Sequence, residues 1–342
     1  MLIVAGLNLA QLEPRVWDKS SPYYLEDLNA VMISYAQIHR NSRTRARMMS
    51  EGIRSVLNIP EEIQVFLDNG AFNFAMKGFD APVKDYEEFA EQTKPDWKPI
   101  PQDFIPAPNM SLKKQKECLN RTMQVNLAFK HDGYVPVIHI SKVIKKYIVE
   151  IKSSEELSQK ESIAVGGIVP NLLRAPKALS HSEILKSLIK LRDEFSNQKI
   201  HIFGIGGIST LHLALLLEID SVDSSGWRNR AARGIILLPG KSERTIAELG
   251  SWNGRKLSLE EREILLSCQC PPCKSFGVGG LTAKISEGFR NRATHNLWTL
   301  LEEEKWIREK IEEGSYHIFY QERVENSTYR SLIDYLVKEK MS

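Results

Sequence analysis

Residues 200–223 read IHIFGIGGISTLHLALLLEIDSVD, and this stretch decides the predicted fold. It holds two short β-rich segments, at 200–203 and 221–222, separated by a glycine-rich turn and an apolar run. The first segment ends in Gly204-Ile-Gly206-Gly207 and the second ends in Asp223. A strand, a helix and another strand in this order are typical of a parallel sheet with covering helices.

The same alternation extends over most of the chain. Residues 181–195, for example, predict an amphipathic helix with Ser180 as its N-cap. About eight repeats predict an α/β fold, a closed (β/α)8 TIM barrel, with a doubly wound open sheet as the alternative. The candidate strands are residues 2–7 or 31–34, 65–67, 104–107, 135–140, 162–165, 200–203, 221–222 and 234–238.

A cluster of cysteines predicts a metal centre. Cys268, Cys270 and Cys273 lie within six residues, and His295 follows 22 residues after the last of them. Three thiolates and one imidazole form a closed tetrahedral site, which is typical of structural zinc. We therefore predict one Zn²⁺ per chain as the cofactor, with a structural role. The alternatives are three unrelated free thiols, or a different histidine as the fourth ligand.

This cluster also sets the predicted organisation and compartment. It breaks the alternation, and a strongly charged helix at 296–313 follows it. We predict a catalytic barrel over residues 1–255, a small zinc-binding subdomain over 256–300, and C-terminal helices over 301–342 that pack on the barrel. Clustered thiols in a chain without a recognisable export signal indicate a reducing, cytoplasmic compartment.

Composition and charge set wider limits on function. With 42% hydrophobic and 26% charged residues, the 342-residue chain has the composition of a globular protein. The apolar run at 211–217 is too short to span a bilayer, so we expect no membrane partner. A net charge of +3 permits a nucleic-acid partner without requiring one.

Two aspartates stand at the ends of predicted strands. Asp68 follows the strand at 65–67, and Asp223 follows the strand at 221–222. Because the carboxyl ends of barrel strands converge at one mouth, we expect the two side chains to meet. Such a pair can displace a base from a sugar, since one carboxylate attacks the anomeric carbon while another group transfers protons. Taken alone, each aspartate equally fits a turn former.

Several ordered motifs resemble the tRNA-guanine transglycosylases. They are DNGAF at 68–72, DFIPAP at 103–108, VIH at 137–139, AVGGI at 164–168, GIG at 204–206, DSVD at 220–223, and the cysteine cluster with His295-Asn296. The resemblance covers most of the chain and implies a TIM barrel with Asp223 as nucleophile and Asp68 as general acid/base. The residues it places around the purine base are Asp103, His139, Gly166, Gly167, Gly204 and Gly206. For the last two, a plain tight turn is the alternative.

Departures from the family motifs suggest a different polynucleotide. Ala71-Phe72-Asn73 replaces Gly-Phe-Gln, residues 224–230 replace a Pro-Thr-Arg stretch, and His139 replaces a glutamine. The pattern looks more like the DpdA-type paralogues, which insert 7-deazaguanine bases into DNA. It implies exchange of guanine in DNA for a free base such as 7-cyano-7-deazaguanine, through a covalent aspartyl intermediate. Membership of that branch implies that the protein works with partner proteins of a DNA-modification system, which the sequence does not identify.

Two alternative functions stay open: a tRNA-guanine transglycosylase acting on tRNA, and a non-catalytic zinc-bearing nucleic-acid-binding protein.

Under any of the three functions, clustered cations are candidates for phosphate contacts. The group nearest to Asp223 is Arg228, Arg230 and Arg233. Trp227 beside it can stack on a base, or equally serve as a core residue at the barrel rim. The other groups, each equally compatible with a solvated helix face, are His39 and Arg40 with Arg43, Arg45 and Arg47; Lys142, Lys145 and Lys146; and Arg290 with Arg292.

Overall fold

The computed structural model describes residues 1–101, 104–129, 133–249 and 254–341, so Asp103 lies outside the described residues. The strands are β1 (Leu2–Gly6), β2 (Ala30–Ser34), β3 (Gln64–Asp68), β4 (Lys98–Pro99), β5 (Tyr134–Val135), β6 (Val137–His139), β7 (Ser162–Gly166), β8 (Lys199–Ile202), β9 (Ser221–Ser224), β10 (Ile235–Leu237) and β11 (Glu243–Thr245).

Helices follow nearly every strand, as the alternation predicts. They are α1 (Tyr35–His39), α2 (Ser42–Glu51), α3 (Ile53–Leu57), α4 (Ala71–Ala75), α5 (Val83–Thr93), α6 (Leu112–Ala128), α7 (Ile144–Ser153), α8 (Glu155–Ser158), α9 (Ile168–Leu172), α10 (His181–Glu194), α11 (Ile208–Leu216), α12 (Gly226–Ala232), α13 (Leu259–Leu266), α14 (Pro271–Thr282), α15 (Ser286–Glu312), α16 (Tyr316–Val324) and α17 (Arg330–Met341). The predicted N-cap of α10 is confirmed, because the Ser180 side chain accepts the N–H of Glu183 in a capping box.

Parallel pairing runs around a closed ring. Seven strands pair in the order β3-β2-β1-β9-β8-β7-β6, and β4 pairs with β5. The ring closes at Trp97, just before β4, where its backbone carbonyl accepts the N–H of Leu67 in β3 over 2.9 Å. On the other side, only Pro136 separates β5 from β6. Counting those two as one strand gives the predicted (β/α)8 barrel.

Three details of the strand prediction are wrong. Residues 104–107 form no strand, because Pro106 has no N–H to donate and the two-residue β4 takes that place in the ring. Strand β10 lies outside the barrel and pairs antiparallel with β11, since β9 already closes the ring against β1. Finally, residues 2–7 and 31–34 are not alternatives, because both regions contain barrel strands.

Side chains on each barrel strand alternate between two environments. In β8, Ile200 and Ile202 belong to the apolar layer between the barrel and its helices. His201, between them, instead contacts Phe66 and Trp97 in the barrel interior. The interior layer is otherwise mostly apolar, and its residues include Val4, Ala30, Met32, Val135, Val137, Ala164 and Phe203. By the same alternation, the side chains of Asp68 and Asp223 lie at the inner mouth of the barrel.

The C-terminal part builds a second, smaller apolar cluster against the barrel. It joins β10 to α13 and α14 and includes Cys268, Cys270 and Cys273. Helix α15 includes the charged helix that the sequence predicts, and it continues without a break across residue 300, the predicted end of the zinc-binding subdomain. The division at residues 255 and 300 therefore stays a prediction. Among the described helices, none is apolar over a length that would cross a bilayer.

Candidate active site and metal centre

The carboxylate of Asp223 is fixed at the end of β9. Its Oδ1 accepts the backbone N–H of Gly204 over 2.7 Å, and its side chain is only 15% exposed. Gly204 has a φ of +76°, and a Cβ on it would lie 2.7 Å from Cγ2 of Val169. A glycine is therefore required at the turn that delivers this N–H. A hydrogen bond to a carboxylate is strong, so one oxygen of Asp223 is held in place.

Asp68 stands at the end of β3, paired in register with Ser34 of β2. Burial of its carboxyl group raises the pKa of Asp68 to about 6, and the charge of Asp223 adds to that rise. The Ser34 hydroxyl and the backbone N–H of Gly70 partly oppose it. Both carboxyl groups stand at the carboxyl ends of strands in the same barrel, β3 and β9. A carboxyl group with a pKa near neutrality can both release and take up a proton at physiological pH.

One cleft opens directly at Asp223. Its volume is about 640 Å³, and its lining on the barrel side includes Gly204, Gly206 and Arg230. On the C-terminal side it is lined by residues 326–329, in the turn between α16 and α17. A Cβ on Gly206 would lie 2.5 Å from Cβ of Ser224, so this glycine lets the loop after β8 pack on β9. Arg230 is held by Glu243, whose carboxylate lies 2.6 Å from its Nε. The structure thus brings together four of the predicted site residues: Gly204, Gly206, Asp223 and Arg230.

A second cleft of about 630 Å³ adjoins the same mouth. Its lining includes Gly6 at the end of β1, Asn73 shortly after Asp68, and Ser225 shortly after Asp223. The cations in it are Arg40, Lys77 and Arg228, and no aspartate or glutamate is among its described lining residues. Such a surface has a positive potential, which favours an anionic ligand.

His139, Gly166 and Gly167 pack together and are not among the residues that line either cleft. His139 is 1% exposed, and a Cβ on Gly166 would lie 2.8 Å from its Nδ1. Burial lowers the pKa of His139 to about 3, so its imidazole is neutral. Its ring centroid lies 5.9 Å from that of Tyr147 on α7. The predicted contacts of this group with a base stay a prediction.

The structure places Trp227 in the core and buries most of Arg228. Trp227 is fully buried in α12, one turn before the buried Ala231, on the face that packs against α15. Arg228 is 5% exposed, and its guanidinium donates to the backbone carbonyls of Gln11 and Glu13. Burial lowers the pKa of Arg228 to about 10. Trp227 cannot stack on a base without leaving these contacts, whereas Arg228 lines the second cleft with a guanidinium that is already bonded to backbone carbonyls.

Among the other predicted phosphate contacts, Arg292 is also buried. It is fully enclosed and donates to the carbonyls of Ala231, Leu281 and Ala283. An arginine within such a cage of backbone carbonyls braces the fold and offers no free donor face to a polynucleotide. Arg40, by contrast, is exposed and lines the second cleft, as a phosphate contact requires.

Sequence reasoning missed His201. This residue is 1% exposed and lies in the barrel interior, with its Nε2 3.5 Å from Oδ1 of Asp223. Its Nδ1 lies 2.9 Å from Oγ of Ser221. The available signal was the two-residue alternation of a strand, which places His201 of β8 on the same inner face as Ser221 and Asp223 of the neighbouring β9.

The cysteine cluster has the geometry of a tetrahedral metal site. The sulfur atoms of Cys268, Cys270 and Cys273 lie 3.5, 3.5 and 3.6 Å from Nδ1 of His295, and all four donor atoms are within 4.8 Å of one another. A tetrahedral ion about 2.3 Å from sulfur and about 2.0 Å from nitrogen would separate those atoms by about 3.5 Å. Nε2 of His295 hydrogen-bonds the Leu237 carbonyl over 2.8 Å, which leaves Nδ1 free for the ion. The residues therefore fit one metal ion.

Comparison with known proteins places the chain in a family. It belongs to the queuine tRNA-ribosyltransferase (TGT) family, whose model matches residues 21–329. It is 25% identical to the tRNA-guanine(15) transglycosylase of Pyrococcus abyssi over 318 residues, 87% of this chain and 49% of the relative. It is 24% identical to that of Methanocaldococcus jannaschii over 337 residues, 92% of this chain and 48% of the relative. The chain spans about half the length of the curated relatives it matches.

Proposed function

We propose that the chain exchanges a purine base on a polynucleotide through a covalent aspartyl intermediate. The observation that carries this proposal is the carboxyl pair at the barrel mouth. Asp223 is held by the Gly204 N–H, and Asp68 has a pKa of about 6. A fixed carboxylate beside a group that exchanges protons near pH 6 is what a double displacement at a sugar carbon needs.

The proposed reaction has two matched steps. In the first, a carboxylate oxygen of Asp223 forms a bond to C1′, and the C1′–N bond breaks with its electron pair leaving on the purine. The departing purine takes up a proton, which Asp68 supplies. In the second step, the nitrogen of the incoming base attacks C1′ and restores the Asp223 carboxylate, while Asp68 accepts the proton that the base loses. No redox change occurs, because one glycosidic bond replaces another.

A polynucleotide fits the surface around this mouth. The second cleft presents Arg40 and Lys77 and contains no acidic side chain among its described lining residues. Phosphates of the strand that carries the target nucleotide would therefore lie in this cleft, while the target sugar lies at the mouth.

The metal centre is separate from this chemistry. We infer that Cys268, Cys270, Cys273 and His295 hold zinc, which braces the C-terminal helices, because a closed set of four protein ligands leaves no position for a substrate.

We propose tRNA as the polynucleotide, which is the alternative in the sequence analysis. The preference for DNA relied on departures from the family motifs, above all in residues 224–230, which follow Asp223 and include Trp227 and Arg228. Trp227 is fully buried, and Arg228 is bound to backbone carbonyls. The related proteins, in turn, are named as tRNA-guanine transglycosylases. Duplex DNA and a 7-deazaguanine base are the competing substrates.

A labelling experiment separates these substrates. The purified chain is incubated with labelled guanine, or with labelled 7-cyano-7-deazaguanine, and with either unmodified tRNA or duplex DNA. Label in tRNA with none in DNA supports the proposal. Label in DNA alone would restore the DNA assignment, and label in neither, from a metal-loaded and folded protein, would reject base exchange. Asp223→Asn serves as the control that must abolish any incorporation.

A further inference from the structure

We propose that His201 is a positioning residue of this reaction, which directs the Oδ2 atom of Asp223 towards the sugar. The inference rests on the proposed function, because it concerns the same carboxylate. His201 lies below the mouth, in the barrel interior, and does not line either cleft. It therefore acts through Asp223 and has no contact with the substrate.

Hydrogen-bond accounting fixes the tautomer of the imidazole. An ionised Asp223 can only accept hydrogen bonds, so the nitrogen that faces it, Nε2 of His201, must carry the proton. In a neutral imidazole the other nitrogen is then an acceptor. That nitrogen, Nδ1, lies 2.9 Å from Oγ of Ser221, whose hydroxyl can donate to it. Ser221, His201 and Asp223 thus form a chain of donors that ends on the carboxylate.

Aromatic packing holds the ring in this orientation. Its centroid lies 4.8 Å from that of Trp97, 4.8 Å from that of Phe203 and 5.5 Å from that of Phe66. A ring enclosed by three others cannot turn Nε2 away from Asp223 without displacing them, because such interiors are closely packed. Among the described residues Nε2 makes no hydrogen bond, and the acceptor that it faces is Oδ1 of Asp223, 3.5 Å away.

The two oxygens of Asp223 therefore have different roles: Oδ1 faces the donors and Oδ2 faces the sugar. Oδ1 accepts the Gly204 N–H over 2.7 Å and lies 3.5 Å from Nε2 of His201. The longer separation is typical of a catalytic contact that tightens once substrate is bound. With Oδ1 bonded to Gly204 and faced by His201, which donates to it once the contact tightens, Oδ2 forms the bond to C1′ while the C1′–N electron pair leaves with the purine. In the second step the negative charge returns to the carboxylate, where both donors stabilise it.

Two substitutions at this position separate orientation from packing. His201→Phe keeps an aromatic ring inside the cage and removes the donor, whereas His201→Gln keeps a donor near the position of Nε2. We expect His201→Phe to slow adduct formation in a single turnover by about 10²-fold, the scale of losing a residue that orients an active group. The KM for guanine should change by less than about twofold, because His201 does not touch the base. We expect His201→Gln to recover about tenfold of the lost rate.

A buried histidine elsewhere supplies the control. His212 of α11 is also fully buried and hydrogen-bonds Glu303 and Tyr316, and it is not among the residues that line either cleft. His212→Gln is expected to lower the melting temperature while the folded protein keeps the wild-type adduct rate. Wild-type kinetics in His201→Phe would overturn the proposal. So would a loss in His201→Phe that appears only as a lower melting temperature or a higher KM, with no recovery by His201→Gln.

A measurement without turnover keeps this inference distinct from the proposed function. Nitrogen chemical shifts of ¹⁵N-labelled histidine report which ring nitrogen of His201 carries the proton. We expect the Nε2–H tautomer at pH 7.5, and the Nδ1–H tautomer would overturn the contact with Asp223. If the wild-type protein forms no adduct at all, the proposed function fails, while the tautomer still decides whether His201 donates to Asp223.

Discussion

The backbone N–H of Gly204 lies 2.7 Å from Oδ1 of Asp223, although the two residues are 19 positions apart. They meet because β8 and β9 are parallel neighbours whose carboxyl ends open at the same mouth. The turn after one strand thus orients the carboxylate at the end of the next. This relationship makes the turn part of the proposed active site, and the first prediction concerns Gly204.

Gly204→Ala should misplace Asp223. The backbone at this position has a φ of +76°, and the new Cβ would lie 2.7 Å from Cγ2 of Val169. We expect a loss of about 1–3 kcal/mol in the free energy of unfolding, together with a lower kcat for base exchange. Denaturant melts and steady-state kinetics measure the two effects. In the double variant Gly204→Ala/Val169→Ala the steric contact is removed but the strained φ remains, so we expect only partial recovery. A wild-type kcat in Gly204→Ala alone would contradict the prediction.

Asp68→Asn should stabilise the protein in a pH-dependent way. The pKa of Asp68 rises from 3.8 in the unfolded chain to about 6 in the folded protein. Above pH 6 the folded state therefore holds a charge that it disfavours, at a cost of up to about 3 kcal/mol for a shift of about two units. The amide removes that cost, so the variant should unfold at higher denaturant concentration at pH 7.5. Its advantage should shrink as the pH falls from 6 to 4, where the carboxyl group is protonated in the folded state. An advantage that is constant with pH would contradict the raised pKa.

The same variant should lose base exchange while gaining stability. An amide cannot take up or release the proton that the purine exchanges, so turnover should fall by about 10²-fold or more. A variant that is more stable and less active is the outcome expected of a residue kept for function. The stability gain and the activity loss are measured on one preparation, which excludes misfolding as the cause of the loss.

Metal removal should act on the fold. We expect about one zinc per chain by elemental analysis, and Cys270→Ser should lose it and melt at a lower temperature, because metal binding contributes to folding. Cys118→Ser is the matched control, since this thiol lies outside the cluster. Cys118→Ser should keep its metal content. A Cys270→Ser protein with full metal content and an unchanged melting temperature would contradict the proposed ligand set.

The cations of the second cleft should set the affinity for nucleic acid. Arg40→Ala and Lys77→Ala should each weaken binding of unmodified tRNA and reduce the slope of log K against log salt by about 0.7–0.9. Lys199 at the opposite end of the barrel, where β8 begins, is the matched control because it is an exposed, ion-paired cation. Fluorescence anisotropy over a range of salt concentrations measures all three variants. Equal effects of the cleft and control variants would show that charge alone is responsible, and not this cleft.

The positions of the two aspartates at strand ends could be predicted from the sequence, because they depend on a pattern of a few neighbouring residues. A β-rich segment that ends in a carboxylate places Asp68 and Asp223 at the same end of a parallel barrel, whatever the helices do. The cysteine cluster was predictable for the same reason, since the chemistry of three thiols and a histidine limits what they can bind. In both cases the residue types themselves carry the information.

The parts that the sequence left open depend on tertiary packing. Trp227 fitted a base-stacking residue and a core residue at the barrel rim equally well, and the packing of α12 against α15 buries it together with Arg228. Polarity alone does not show that an arginine satisfies backbone carbonyls in the interior. His201 was missed for a related reason. A histidine within an apolar strand resembles a core residue until the register with β9 places it beneath Asp223.

The most direct test of the account is to isolate the covalent adduct. The wild-type chain is mixed with unmodified tRNA, denatured and digested, and the peptide that carries a ribosyl-linked nucleotide is identified by mass spectrometry. The account predicts an adduct on the peptide that contains Asp223, present in Asp68→Asn at a reduced level and absent in Asp223→Asn. An adduct that persists in Asp223→Asn, or one that maps to another residue, would contradict the assignment of the nucleophile.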